Sequence, residues 1–169
     1  MAQISDPRKL FTYKLGTVLS GEKKILSMLK KLEKRAQREE LRQRFRHHRE
    51  ETEGQIRNIE QAFQTLGEKP TGRTNPTVIG LAEQAESLYE KTDDEILDSV
   101  LLGGAAETEH LEIALYEDLI TQARAMGEER VVSLLEQNLE QEQHTLEEVR
   151  RASEQLAQRS ARPTATVVR

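Results

Sequence analysis

Four glutamates, Glu22, Glu109, Glu112 and Glu142, sit inside stripes of apolar residues, and a fifth, Glu51, lies one helical turn from two more stripe residues, His48 and Gln55. A carboxylate taken out of water without a partner costs several kcal/mol, so a sequence that repeats this arrangement needs positive charge inside. Cations supply it. The chain contains no cysteine, so any ion must be held by oxygen and imidazole. That donor set suits hard or borderline cations, Fe²⁺/Fe³⁺ or Mn²⁺, better than copper or a structural zinc site. Iron is the first expectation. No glycine-rich phosphate loop, nucleophile elbow or His-Glu-x-x-His motif offers a competing chemistry.

The elements that must position these groups are helices. Aromatic residues make up 4% of the 169, Trp is absent, and Glu, Gln, Leu, Ala and Arg dominate, which favours helix over strand. The length is that of one domain with one core. Asp6-Pro7 is a helix-start signal, and the first helix should run to about Lys34. A second runs from about Glu40 to near Gly67, where Pro70 forbids continuation. Thr77 to Glu90 reads as a short helix. Thr92-Asp93-Asp94-Glu95 resembles a capping box opening the next long helix, and Gly127 divides that helix from a last one. Residues 1–157 then form the bundle, and 158–169 read as a flexible, basic tail.

Four long amphipathic segments with a short helical crossover between the second and third are the arrangement of an all-α four-helix bundle. Spacings of three and four give the seams Leu15, Val18, Glu22, Ile25, Leu29, Leu32, Ala36 and Leu41, Phe45, His48, Thr52, Gln55, Ile59, Ala62, Leu66. The later pair gives Leu102, Ala105, Glu109, Glu112, Tyr116, Leu119, Ala123 and Val131, Leu135, Asn138, Glu142, Thr145, Val149, Ala152, Leu156. Each seam is polar at its centre. Glu22 and Glu51 are equidistant from about residue 36, and Glu112 and Glu142 from residue 127, where the two hairpin turns fall. Antiparallel helices rise equally per residue, so equal distance from a turn means equal height.

These residues carry a resemblance. From about Leu10 to Ala157 the sequence resembles the YciF-like family of ferritin-like proteins. The match is carried by Ser20-Gly21-Glu22-Lys23-Lys24, the run His48 to Ile56, the run Glu109 to Tyr116, and Leu134-Leu135-Glu136 with Leu139-Glu140-Gln141-Glu142. The second and third runs are the most specific. The glutamate spacing is also similar to the rubrerythrin class, in which carboxylates from four helices hold two irons. Such sites add a histidine one turn beyond the carboxylate on the second and fourth helices. Here Gly54 and Thr145 stand at those offsets, while His48 precedes its carboxylate and His144 lies two residues past Glu142.

The nitrogen ligand therefore stays open between His48 as a ligand and His48 as a hydrogen-bonded core histidine. Tyr116 is placed either to hydrogen-bond a ligating carboxylate or simply to fill the core. His110 is expected behind the ligands or at a dimer contact, His144 behind the ligands, and His47 at the surface. The resemblance implies two irons, with manganese as the substitute, oxidation of Fe²⁺ or consumption of peroxide or O₂, a homodimer and a stress-related role. The rival is a non-enzymatic helical module whose polar core residues set helix register. The crossover, with Val78, Leu81, Ala85, Leu88 and Tyr89, either covers the bundle or forms the dimer face.

Location and partners follow from charge and hydropathy. Met1 to Pro7 has no basic region leading into an apolar run, and no apolar stretch approaches the ~20 residues of a membrane span, so a cytoplasmic chain without a membrane partner is expected. The lack of cysteine is compatible with a reducing compartment. A net charge of −5 argues against nucleic-acid binding. Lys30 to Arg49 is locally basic, which reads as a solvated helix face or, alternatively, as a site for an anionic partner.

Overall fold

The computed structural model describes residues 3–160. Asp6 caps the first helix, α1 (Pro7–Arg35), by accepting from the backbone N–H of Arg8 and Lys9, with Pro7 at the first helical position. The second, α2 (Glu39–Thr65), ends at Gly67, whose φ of 75° supplies the left-handed residue that closes a helix. There the N–H of Glu68 donates to the Phe63 carbonyl and that of Gly67 to the Gln64 carbonyl. The same closure recurs at Gly127, φ 73°, between α4 (Asp94–Ala125) and α5 (Glu129–Ser160). Residues 161–169, most of the expected tail, lie outside the described residues.

The crossover helix is α3 (Pro76–Tyr89), capped by the Asn75 side chain, which accepts from the Val78 N–H. The expected capping box at Thr92 does not form. Asp93 is the N-cap of α4 without a side-chain cap bond, and the Thr92 hydroxyl donates to the Leu88 carbonyl at 2.7 Å. Thr92 still belongs to the turn that closes α3, its N–H donating to the Tyr89 carbonyl as its hydroxyl does to Leu88, so the N-cap position falls one residue later.

The helices adjoin in the order α1, α2, α5, α4 and back to α1. Lys14 pairs with Asp118 and the Gln37 N–H donates to Asp98, so α1 and α4 are antiparallel. Asn58 meets Asn138 and Arg44 meets Glu148, so α2 and α5 are antiparallel as well. Neighbours thus oppose one another all round, and α2 and α4 run parallel across the diagonal. That diagonal demands the long connection, which α3 occupies by packing on α1 and α4. The segment before α3 is pressed against α1: a Cβ on Gly16 would lie 2.5 Å from the Thr71 carbonyl oxygen, and the Arg73 N–H donates to the Gly16 carbonyl at 2.8 Å. Val78 and Tyr89 are buried beneath the crossover, whereas Leu88, expected on its apolar side, is exposed.

Every seam residue predicted from spacing is buried except Ala152, which is half-buried. Two apolar clusters result. One, around Phe11, Leu19, Ile59, Leu119 and Leu135, fills the end with the α2 and α4 C-termini, and the other, around Ile25, Leu29, Phe45, Leu101 and Val149, fills the opposite end. Between them lies the polar layer. The basic stretch is not a bare cationic face: Glu33 pairs with Arg46 and Arg49, Glu86 with Lys31 and Arg35, and Asp98 with Arg38. Among the described residues, no helix is long and apolar enough to cross a membrane.

Candidate metal centre

The seam spacing delivers carboxylates from α1, α4 and α5 and an imidazole from α2 to one level. Glu22, Glu109, Glu112, Glu142 and His48 are each at most 5% exposed. Ligand atoms of His48, Glu109, Glu112 and Glu142 lie within 4.8 Å of one another. His48 Nε2 is 3.1 Å from Glu109 Oε1 and 4.0 Å from Glu142 Oε2, while its Nδ1 is 3.6 Å from Glu51 Oε2. Thr145 Oγ1 also approaches that Nδ1, at 3.5 Å.

Electrostatics divide the acids into two kinds. Burial raises the Glu109 carboxyl, but the adjacent His48 charge and the hydrogen bonds with Glu142 and His48 together outweigh it and hold the group below its usual range. Burial opposes a charge on His48 too, yet Glu109, Glu51 and Glu142 together hold the imidazolium well above 6.5. Glu112 is pushed far up, first by burial and then by the charges of Glu22, Glu142 and Glu109. Glu142 is raised likewise by burial and by Glu109 beside it. Glu22 rises to about 7, burial outweighing the hydrogen bond from Tyr116. One imidazolium cannot neutralise four buried carboxylates, so several must carry protons unless another cation enters.

The donor atoms fit such a cation. Glu22 Oε2, Glu109 Oε2, Glu112 Oε2, both oxygens of Glu142 and both amide atoms of Gln55 are buried without a hydrogen-bond partner. Buried polar atoms are almost always paired, and here Glu22 with Glu112 and Glu109 with Glu142 face one another and can pair only by sharing protons; so many carboxylate oxygens facing other acids is the pattern of a coordination site.

The remaining expected residues are placed as follows. Glu51 sits half-buried at the margin between His47 and His48, its carboxyl lowered by the His48 contact despite partial burial. Tyr116 does meet a carboxylate, donating to Glu22 across the α1–α4 interface rather than to Glu112 on its own helix. His110 faces outward, with Nε2 3.1 Å from Arg150, and His144 is exposed, 3.9 Å from Glu148. The contacts expected of those two histidines fall instead to Thr145 on His48 and to Asn138, which donates to Tyr116 at 3.1 Å. Both were legible as polar seam residues flanking Glu142 by one turn.

A family model described as a domain of unknown function, DUF892, matches residues 6–162. The chain belongs to the DUF892 family. This DUF892 protein is 35% identical to protein YciF of Escherichia coli strain K12 over 138 residues, 80% of this chain and 83% of the relative. The solved structure of YciF, described as an E. coli stress protein, superposes with a TM-score of 0.87 at 30% identity, covering 92% of this chain and 99% of YciF. YcfI from Rhodopseudomonas palustris, provisionally described as a structural protein, gives 0.85 at 31% identity over 88% and 95% of the two chains. A Xanthomonas campestris protein at 24% identity and TM-score 0.74, covering 92% and 99%, shares the fold. The DUF892 chain is accordingly a YciF-like, ferritin-like helical bundle.

Proposed function

We propose that this protein is a ferritin-like di-iron carboxylate protein that oxidises Fe²⁺ or consumes peroxide or O₂ in a stress-related role. The observation that carries the reading is the layer of buried, unpartnered carboxylate oxygens from α1, α4 and α5 around a single imidazole. His48, Glu109, Glu112 and Glu142 would hold an ion, with Glu22, Glu51 and Gln55 extending the donor set to a second. Bound iron supplies one-electron oxidation at each ion, with peroxide or O₂ as the acceptor, and manganese fits the same donors.

The chain's own groups do the rest. The apolar clusters above and below the layer keep bulk water out. Burial and the neighbouring charges favour the protonated forms of Glu112 and Glu142, and a cation that enters displaces those protons. Tyr116 holds a proton against Glu22 Oε1. The description of E. coli YciF as a stress protein supports the physiological half of the proposal, and a cytoplasmic homodimer is the setting we infer for it. Exposed Leu10, Tyr13, Ile79, Leu88 and Ile96 offer apolar surface for self-association. The provisional structural description of the R. palustris relative favours one alternative, a metal-free helical bundle acting as a structural or interaction protein.

Elemental analysis separates the two. Untagged protein reconstituted anaerobically with Fe²⁺ should hold about two irons per chain, and a Glu109→Ala/Glu112→Ala variant none. No retained metal in the parent, with the variant equally well folded, would favour the structural module.

A further inference from the structure

Asn138 is fully buried on α5, one turn before Glu142, and its amide is tied on three sides. Nδ2 donates to the Gln55 carbonyl at 3.3 Å and to the Tyr116 hydroxyl oxygen at 3.1 Å, and Oδ1 accepts from Asn58 Nδ2 at 2.8 Å. A carbonyl oxygen can only accept, so the atom facing Gln55 must be nitrogen, and the amide orientation follows from the network itself. The same nitrogen then presents an N–H to Tyr116.

That choice directs the tyrosine. A phenol has one proton and acceptor lone pairs. With Asn138 donating to the oxygen, the proton points at the remaining neighbour, Glu22 Oε1, to which Tyr116 hydrogen-bonds. Glu22 is left with Oε2, buried, met by no N–H or phenol and close to the Glu112 carboxyl. We propose that Asn138 is a positioning residue that, by donating to the Tyr116 oxygen, holds the Tyr116 proton on Glu22 Oε1, so that Glu22 offers a cation only its Oε2. The second half rests on the metal-centre reading; the proton direction does not.

The test uses the full-length chain with Tyr13→Phe and Tyr89→Phe, leaving Tyr116 as the one tyrosine of three. Raman spectra of the tyrosine ring doublet, which reports whether a phenol donates, accepts or does both, are compared with and without Asn138→Leu or the isosteric Asn138→Asp. Metal-free parent protein should show a phenol that donates and accepts. Asn138→Leu should show a phenol that no longer accepts and whose donation to Glu22 is loosened, and Asn138→Asp, whose carboxylate offers the tyrosine proton a second acceptor, should likewise lose the accepted bond. Anaerobic Mn²⁺ titration of the same proteins should show affinity about tenfold weaker in both variants, the loss usual for a partner behind a ligand.

A folded variant with the parent's Raman signature overturns the proposal. A changed signature with unchanged Mn²⁺ affinity overturns its metal-facing half. Should the parent bind neither Mn²⁺ nor Fe²⁺, the metal-centre reading and that half fall together, and the Raman comparison alone decides the proton direction.

Discussion

His48 on α2 and Glu109 on α4 meet at 3.1 Å across the diagonal of the bundle, between helices joined only through the crossover. Both side chains are buried, so their mutual attraction is little screened, and each sets the other's charge. The imidazolium is stabilised by the carboxylate and the carboxylate by the imidazolium, against the burial that opposes both.

Removing the cation from this pair leaves a buried acid exposed to its acidic neighbours. His48→Leu should destabilise the metal-free protein by about 3–5 kcal/mol near neutral pH, the cost of breaking a buried pair on one side. The deficit should shrink toward about pH 5, as Glu109 takes up a proton in place of its lost partner. Urea unfolding at the two pH values measures both; equal stability of variant and parent would show that the pair contributes nothing net.

The other acids make metal-free stability depend on pH with a definite sign. Glu22, Glu112 and Glu142 have carboxyls raised above 4.5, Glu22 to about 7, so the folded chain binds more protons than the unfolded one over that interval. Stability therefore falls as pH rises from 4.5 through about 7. His48, raised above 6.5, acts in the same direction, its contribution complete below 6.5 and lost as pH rises through its folded value. Glu109 and Glu51, lowered, contribute above 4.5 and lose that contribution only as pH drops beneath it. The melting temperature of metal-free protein should peak near about pH 5 and decline toward about pH 8. Saturating Mn²⁺, which competes with those protons, should flatten or reverse the decline; a parallel decline with and without Mn²⁺ would count against an ion among these carboxylates.

Two glycines in helices should respond oppositely to the same change. Gly103 in α4 has nothing within 4 Å of an added Cβ, so Gly103→Ala should stabilise the protein by about 0.5–1 kcal/mol through helix propensity alone. At Gly16 the new methyl would meet the Thr71 carbonyl at 2.5 Å, and Gly16→Ala should cost about 1–3 kcal/mol by displacing the loop that leads into α3. Thermal melts of the two variants check the contrast, which would fail if both moved the same way.

Much of the bundle and its polar layer was legible because a helix in a bundle has one periodicity and one buried stripe. The spacing that selected Glu22, His48, Gln55, Glu109, Glu112 and Glu142 is the spacing that buries them. Glu51 stands one turn from His48 and Gln55 but at the edge of that stripe, where Thr52 takes the buried position, and the structure leaves it half-buried beside His47. The capping box failed because Thr92 is held in the turn that closes α3, which moves the N-cap to Asp93, and a four-residue motif does not register the helix before it.

The sequence by itself therefore determined the number and order of the helices, which face of each is buried, and the height at which acidic residues collect, since all of these follow from local periodicity and turn chemistry. Only the tertiary structure decided which groups meet. That Tyr116 reaches Glu22 and not Glu112, that Asn138 stands behind the tyrosine, and that His48 pairs across the diagonal with Glu109 depend on the order of helices around the axis and on side-chain rotamers. Contacts between helices are set by packing, which a periodicity along one chain does not encode.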